Sequence, residues 1–333
     1  MVNIPVGFRS KPQCQITLQD AILERWWLAC ARDLRKRVWA FLGLRLQIYV
    51  VVIMSMFDQF MNRIPSAGLS RAFGAVSSVE FPTPIQGHLN QLYAKLMGVN
   101  VEESERSPKV YKSLNAFFTR KLREDARPID EHPAGMCCPV DGHLSEFGPL
   151  NDGTLVQAKG LNYSLVDLLS AAPETKRFRS ASYATLYLSP RDYHRIHSPV
   201  AGLVRSMNYS PGHLFPVNRL GVRYIDDLFP RNERLTTFIE TKAGNMVGVV
   251  KVGATCVGRI SVAYDPFVTN RARARQPFRQ TYEHTEIGCG DLLGMFNLGS
   301  TVVLVIEGEN FEFSPGLAVG QEVRLGVALG DWR

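Results

Sequence analysis

A glycine–serine pair lies directly before one of the most apolar stretches of this chain. The segment Phe296–Thr301 reads FNLGST, and the apolar run continues to Ile306. Taken alone, this pattern indicates a turn before a core strand. The pair also allows a rearrangement, because glycine tolerates strained backbone and the Ser300 hydroxyl can attack the carbonyl of Gly299. An acyl shift to an ester, β-elimination and hydrolysis would then cut the chain, release ammonia and leave a pyruvoyl group, provided that a base activates the hydroxyl.

Candidate bases lie in the segment Leu188–Pro199, which reads LSPRDYHRIHSP and holds His194 and His197. Histidine titrates near neutral pH and is therefore suited to general-base chemistry. The pair lacks the glutamate of the HExxH zinc motif, and the flanking prolines argue against a long helix. We predict no metal site here, and two ordinary polar histidines in a loop remain the alternative.

A carboxylate that could orient a histidine lies in the segment Cys138–His143, which reads CPVDGH. Asp141 followed by glycine is typical of a hairpin turn. In a catalytic triad, the same carboxylate would fix the tautomer of a histidine and stabilise its imidazolium. Both interpretations stay open at this point.

The N-terminal part of the chain is predicted to be helical and to contact a membrane. The run Val38–Phe57 is long enough to span a bilayer, but Arg45 lies near its middle, where a charge is costly. We therefore predict a helix in the membrane interface, with a spanning helix and a buried core helix as alternatives. Its basic patch is Arg32–Arg37, and its interfacial aromatic residues are Trp26, Trp27 and Trp39.

The residue pattern changes after Pro128, where short runs of strand-favouring residues alternate with turn residues. We predict an α+β fold in which N-terminal membrane-interface helices precede a β-dominated catalytic domain. The predicted regions are a basic amphipathic membrane-associating region (1–63), a helical linker region (64–136) and a β-rich catalytic domain (137–333). The linker includes a helix capped by Ser113 and running to Leu122. The predicted strands include Ala184–Leu188, Thr236–Glu240, Val247–Val252 and Thr301–Ile306, and a final hairpin is predicted to join Gly320–Val323 to Gly326–Gly330.

Composition and net charge limit the classes of binding partner that the sequence favours. The net charge of +7 favours anionic partners, and residues 1–60 hold eight basic and four acidic residues. No RNA- or DNA-binding signature is present in the basic stretches, so we predict no nucleic-acid partner. The six cysteines show neither zinc-ligand spacing nor a disulfide framework, which favours a reducing compartment. Residues 1–20 lack the apolar core of a signal peptide.

Several segments together resemble the phosphatidylserine decarboxylase family. Besides the segments above, the similarity extends over LNAFFTR (114–120) with RPI (127–129), QAKGLNYSL (157–165), PGHLFPVN (211–218), LFPRNER (228–234), VGATCVG (252–258) and LGST (298–301). One such motif would be weak evidence for the family, but the motifs occur in the family's order from Leu114 to Thr301. The resemblance points to a bacterial form of the family.

The resemblance implies a role for each matched residue. Ser300 would be the nucleophile of self-cleavage at the Gly299–Ser300 bond and would then become the covalent pyruvoyl cofactor. His197 would be its general base, Asp141 would orient His197, and His194 would assist decarboxylation or protonation. No metal is implied.

The resemblance also implies the substrate and the location of the protein. The substrate would be phosphatidylserine, decarboxylated to phosphatidylethanolamine at the cytoplasmic face of the cell membrane by a peripheral protein bound to an anionic surface. The cleaved α chain (300–333) and β chain (1–299) would stay associated, and the sequence leaves monomer and homodimer open. The alternatives are a pyruvoyl decarboxylase of a soluble amino acid, a decarboxylase of a related phospholipid, an inert membrane-bound paralogue and, more distantly, a zinc hydrolase.

Overall fold

The computed structural model describes residues 77–130, 134–158, 161–255, 259–269, 276–297 and 300–333. The predicted membrane-associating region (1–63) and the first part of the predicted linker lie outside the described residues. The described part has the predicted α+β character, with a β-dominated body. Within these ranges, no helix combines the length and the hydropathy needed to cross a membrane.

Helices are concentrated before the sheets and in the loops between strands. The described α-helices are α1 (Thr83–Met97), α2 (Leu114–Phe118), α3 (Leu165–Leu168), α4 (Arg219–Tyr224) and α5 (Leu228–Arg231), and two 3-10 helices span Pro108–Val110 and Pro173–Arg177. The longest, α1, has a proline in its first turn and ends at Gly98, whose φ of 72° is the left-handed conformation that favours glycine.

The cap of α2 is as predicted, but the helix is shorter. The Ser113 hydroxyl accepts a hydrogen bond from the backbone N–H of Ala116 at 3.1 Å, which confirms the N-cap. The helix ends at Phe118 because the chain turns away at Thr119, whose hydroxyl donates to the Asn115 carbonyl. Beyond this point, Leu122 forms a β-bridge with Ser104 and so is not helical.

Four antiparallel sheets contain the described strands. In chain order, these are β1 (Gly135–Cys137), β2 (Gly142–Pro149), β3 (Thr154–Ala158), β4 (Leu161–Ser164), β5 (Ala181–Leu188), β6 (Arg195–His197), β7 (Gly202–Ser210), β8 (Arg234–Thr241), β9 (Met246–Val252), β10 (Arg259–Val262), β11 (Phe278–Ile287), β12 (Leu292–Asn297), β13 (Ser300–Glu307), β14 (Phe311–Phe313), β15 (Glu322–Val323) and β16 (Ala328–Trp332). The largest sheet has the order β11-β7-β8-β9-β13-β5-β2-β15, and the smaller sheets are β10-β12-β6, β1-β16-β14 and β3-β4.

Strand β13 lies in the middle of the large sheet, between β5 and β9. Ser300 is opposite Leu188 of β5, and Thr301 is opposite both Tyr187 of β5 and Val252 of β9. The run TVVLVI is buried throughout, as expected for β-branched residues covered on both faces of a sheet. All four predicted strand runs are confirmed as parts of β5, β8, β9 and β13.

The predicted final hairpin is wrong. Strand β15 pairs with β2, whereas β16 pairs with β1 on one side and β14 on the other. Between them, Gly326 has a φ of 90°, and a Cβ at this position would meet the carbonyl oxygen of Pro128 at 2.3 Å. Glycine at this position therefore allows the loop between β15 and β16 to approach the backbone of Pro128 closely.

Candidate active site

The residues before and after the predicted cleavage bond belong to two different sheets. Strand β12 ends at Asn297 in the three-stranded sheet, and Ser300 begins β13 in the large sheet. Leu298 and Gly299 lie outside the described residues. Strand β5, which pairs with Ser300 through Leu188, leads directly into the histidine segment.

The histidine segment returns to β12. Its strand β6 pairs with β12, with His197 opposite Leu292 and Arg195 opposite Met295. In addition, the backbone N–H of Phe296 donates to the carbonyl of His194 at 3.0 Å. The fold thus brings both predicted histidines to the strand that ends just before the predicted cleavage bond.

The hydrogen bonds of His197 determine its tautomer. Nδ1 lies 2.6 Å from the carbonyl oxygen of Gly290, and Nε2 lies 3.1 Å from the hydroxyl of Tyr193. A carbonyl can only accept, so Nδ1 carries the proton and Nε2 of the neutral ring accepts from Tyr193. Burial lowers the pKa of His197 below its usual value, although the bond to Gly290 opposes the shift. The ring is therefore neutral at pH 7, with its basic nitrogen directed at a hydroxyl group.

His194 is completely buried. Its Nδ1 lies 2.8 Å from the carbonyl oxygen of Asp192, so the proton again sits on Nδ1. Its ring packs on Phe118 of α2 at a centroid distance of 4.0 Å. Burial lowers the pKa of His194 to about 3. Among the described residues, its Nε2 has no hydrogen-bond partner, which leaves a buried basic lone pair unsatisfied.

Asp141 lies just before β2, and its position depends on the glycine that follows. A Cβ on Gly142 would meet the carbonyl oxygen of Tyr187 at 2.3 Å, so a side chain there would push β2 away from β5. The Asp141 carboxylate accepts from Arg127, with 2.9 Å between Nε and Oδ1 and 2.7 Å between Nη2 and Oδ2. Oδ1 also accepts from the backbone N–H of Leu325 at 2.9 Å.

Arg127 connects Asp141 to a second carboxylate. Its Nη2 lies 2.7 Å from Oε2 of Glu103. Burial alone would lower the pKa of Arg127, but its bonds to Asp141 and Glu103 raise it overall. The same bond lowers the pKa of Glu103. The result is a nearly buried ion network that holds the segment before β2 in place.

Asp141 and His197 are not hydrogen-bonded to each other. Both ring nitrogens of His197 are used by Gly290 and Tyr193, and the Asp141 carboxylate is bound by Arg127 and Leu325. The negative charge of Asp141 is nevertheless close enough to favour the protonated form of His197. The orienting role of Asp141 stays a prediction, and in this structure the Gly290 carbonyl holds Nδ1.

Helix α2 supports the site from the N-terminal side. Besides the packing of Phe118 on His194, Nδ2 of Asn115 lies 3.2 Å from Oδ1 of Asn297, the last residue of β12. The Thr119 carbonyl accepts from Nε of Arg195 at 2.9 Å. The segment LNAFFT therefore contacts both the histidine segment and the end of β12.

Sequence reasoning did not assign roles to Arg127, Tyr193 or Gly290. Arg127 lies in the motif RPI and Tyr193 in LSPRDYHRIHSP, but no spacing rule pairs an arginine with a carboxylate across a loop. Gly290 contributes a backbone carbonyl, which has no sequence signature at all.

A cavity of about 340 Å³ opens beside His197. Its cationic lining residues are Lys121, Arg123, Arg127 and Arg195, and its lining also includes Glu124 and Tyr193. In the described ranges, no group of three or more His, Cys, Asp or Glu side chains is arranged to hold a metal ion.

Comparisons with known proteins agree with the motif resemblance. A family model described as phosphatidylserine decarboxylase matches residues 114–331. Similar proteins, each named phosphatidylserine decarboxylase proenzyme, occur in Brevibacillus brevis (39% identical over 269 residues, 80% of this chain and 95% of the relative), Anaeromyxobacter sp. (41% over 278 residues, 83% and 98%) and Nitrosococcus oceani (43% over 246 residues, 72% and 80%).

Proposed function

Because the chain belongs to the phosphatidylserine decarboxylase family, we propose that it cleaves itself and then converts phosphatidylserine to phosphatidylethanolamine and carbon dioxide. The observation that carries this proposal is the meeting of the histidine segment with β12 and β13. His197 lies on β6, which pairs with β12, and the carbonyl of His194 accepts a hydrogen bond from Phe296 of β12. Burial lowers the pKa of both rings.

In this scheme, Ser300 is the nucleophile and Nε2 of His197 takes its proton. The hydrogen bond from Nδ1 to Gly290 keeps the lone pair on Nε2, and the lowered pKa keeps the ring unprotonated at neutral pH. Tyr193 occupies Nε2 before the reaction and releases it when the serine hydroxyl approaches. These are the properties of a general base, which contributes roughly 10²–10⁴-fold to a proton-transfer step.

The site fits a pyruvoyl group formed from residue 300. Such a group supplies a carbonyl that acts as an electron sink for the loss of carbon dioxide. The supporting observation is the buried Nε2 of His194, which lacks a partner among the described residues and, on a neutral ring, can accept a hydrogen bond from a group bound there. We assign to His194 an assisting role in decarboxylation or protonation, as an acceptor of a hydrogen bond.

The cavity beside His197 suits the substrate headgroup. Phosphatidylserine carries a phosphodiester and a carboxylate, and the cavity presents Lys121, Arg123 and Arg195. Cationic side chains bind such groups by charge-assisted hydrogen bonds. Lys121 and Arg123 are exposed and Arg195 is half-buried, so the lining favours an anionic headgroup over a neutral one.

We further propose that the protein works as a peripheral protein on the cytoplasmic face of the membrane. The feature that supports membrane contact is a stripe on α1 that consists of Ile85, Leu89, Leu92 and Leu96. These side chains follow helical spacing, and between 42% and 70% of each is exposed. An apolar helix face that is exposed to water is typical of a surface that contacts lipid.

One experiment tests the activity and the cleavage site together. The purified protein is incubated with phosphatidylserine vesicles, phosphatidylethanolamine is quantified, and the chain is examined by mass spectrometry. We expect a fragment that starts at residue 300 with a blocked pyruvoyl terminus. The Ser300→Ala variant should remain one chain of 37.3 kDa without activity. A cleaved Ser300→Ala protein would contradict the scheme, and activity on free serine alone would reassign the substrate.

A further inference from the structure

Two cysteine thiols lie side by side near the proposed base. Cys137 is the last residue of β1, and Cys289 lies in the turn between β11 and β12. Their sulfur atoms are 3.1 Å apart. The sulfur atoms of a disulfide are about 2.05 Å apart, so the pair needs to close by only about 1 Å to form one. Cys137 is buried and Cys289 is partly exposed, so Cys289 is the more accessible residue of the two.

This thiol pair contacts the backbone that follows and supports His197. The Cys137 thiol lies 3.7 Å from the carbonyl oxygen of Ser198, and the Cys289 thiol lies 3.5 Å from that of Pro199. Cys289 precedes Gly290, whose carbonyl accepts the hydrogen bond from Nδ1 of His197. A change at the sulfur pair is thus transmitted through one peptide unit to the group that holds the base.

We propose that Cys137 and Cys289 are a redox-active thiol pair. Small-molecule disulfides oxidise the pair to a reversible disulfide between Cys137 and Cys289, and this bond slows decarboxylation. The Cys289 thiolate attacks a small disulfide such as oxidised glutathione, which gives a mixed disulfide and one released thiol. Cys137 then attacks the Cys289 sulfur and displaces the second thiolate, which takes up the proton that Cys137 gives up. The two cysteine protons end on the two released thiols, and the two electrons reduce the reagent.

The surroundings of the two thiols determine the order of attack. The hydrogen bond with Cys289 and burial both raise the pKa of Cys137, so this thiol stays protonated. The thiolate is the reactive form. The partly exposed Cys289 is therefore the thiol that meets the reagent, and Cys137 completes the bond at short range.

The fold also determines which residue moves. Cys137 is paired with Ala328 in the sheet, and its backbone N–H donates to the Pro199 carbonyl at 2.9 Å. Cys289 lies in a turn, which deforms more easily than a paired strand. Bond formation therefore draws Cys289 towards Cys137 and displaces the neighbouring Gly290 carbonyl from Nδ1 of His197.

The crosslink is tested on the purified, self-processed protein. After treatment with oxidised glutathione, the protein should lose two of its six thiols, and a proteolytic map should contain a peptide pair joined through Cys137 and Cys289. Cys137→Ser and Cys289→Ser should both abolish the crosslink. Cys138→Ser is the matched control, because Cys138 is also buried but bonds to the Val140 carbonyl at 3.1 Å instead. Loss of the crosslink in Cys138→Ser, or its absence in the original protein, would overturn the proposal.

The effect on rate rests on the proposed function and is measured separately. Decarboxylation of phosphatidylserine vesicles should fall several-fold on oxidation and return with dithiothreitol in the original protein and in Cys138→Ser. It should not change in Cys137→Ser. A crosslinked protein with an unchanged rate would overturn the inhibitory effect. If the reduced protein has no activity on the vesicles, the proposed function fails, whereas the crosslink result still stands or falls by the peptide map.

Discussion

The two histidines of the segment Leu188–Pro199 carry their protons on the same ring nitrogen. In each case, Nδ1 donates to a backbone carbonyl, of Asp192 for His194 and of Gly290 for His197. Both rings are neutral at pH 7 because burial lowers both pKa values. They differ in what faces Nε2, since His197 has the Tyr193 hydroxyl and His194 has no partner among the described residues. This difference suits His197 to take a proton from a hydroxyl and His194 to act later.

Replacing His197 tests this assignment. We expect His197→Ala to slow self-cleavage by roughly 10²–10⁴-fold, because the general base is lost. The measurement is the appearance of the short chain over time after synthesis in a cell-free system. His284→Ala is a suitable control, since His284 is an exposed residue of the edge strand β11. Normal processing of His197→Ala would assign the base to another residue.

At the scale of the element, strand β9 carries an unusual residue in the core. Lys251 is completely buried, pairs with Val302 of β13, and its Nζ lies 2.6 Å from the Thr237 hydroxyl. That hydroxyl in turn lies 2.7 Å from the hydroxyl of Tyr264. Burial lowers the pKa of Lys251 from 10.5 to about 7. A charge at this position is costly because none of its hydrogen-bond partners is anionic.

The lowered pKa predicts how stability depends on pH. Between about pH 7 and 10.5, the unfolded chain holds a proton on Lys251 that the folded chain has released, so stability rises with pH in this window. Below it, the folded state carries the full cost of the buried charge. In the uncleaved Ser300→Ala background, Lys251→Met should therefore raise the melting temperature most near pH 6, and the gain should shrink towards pH 10. Parallel curves for the two proteins would mean that Lys251 titrates normally.

Helix α1 allows a matched test of the membrane contact. Leu92→Glu removes part of the apolar stripe and should weaken sedimentation with anionic vesicles while leaving self-cleavage unchanged. Gln91→Glu adds the same charge at the neighbouring exposed position and keeps the stripe intact. An equal loss of vesicle binding in both variants would indicate an electrostatic contact. Unchanged binding in both would show that the stripe does not contact the membrane.

At the scale of the whole molecule, the predicted α chain is interwoven with the β chain. Strand β13 pairs with β5 and β9, β15 pairs with β2, and β16 pairs with β1. Each buried aliphatic residue of β13 contributes roughly 1.5–3 kcal/mol. Breaking one peptide bond before Ser300 removes none of these contacts.

The two cleavage products should therefore stay together. We expect the processed protein to elute from a size-exclusion column at the same volume as Ser300→Ala, with both chains in one peak. In concentrated guanidinium chloride, the chains should separate. The elution volume in buffer also distinguishes a monomer from a homodimer. A short chain that elutes alone without denaturant would contradict the interwoven arrangement.

The sequence alone predicted several strands, one helix cap and the family of this protein. The runs rich in β-branched, aromatic and aliphatic residues predicted β5, β8, β9 and β13, because such residues favour strands. The Ser113 cap was also predictable, since it depends on residues close together in the chain. The family followed from ordered motifs, and the comparisons support it.

Tertiary structure decided the partners of the functional groups. Three contacts join segments that are distant in the chain. They are the hydrogen bond between His197 and the Gly290 carbonyl, the ion pair of Arg127 with Asp141, and the pairing of β15 with β2 instead of β16. Such contacts depend on how sheets pack, and local patterns do not encode them. The proposed reactivity of the glycine–serine pair can be predicted from residue types, but only the tertiary structure brings the histidine segment to β12 and β13. Burial there favours neutral rings because it removes the hydration that would stabilise an imidazolium.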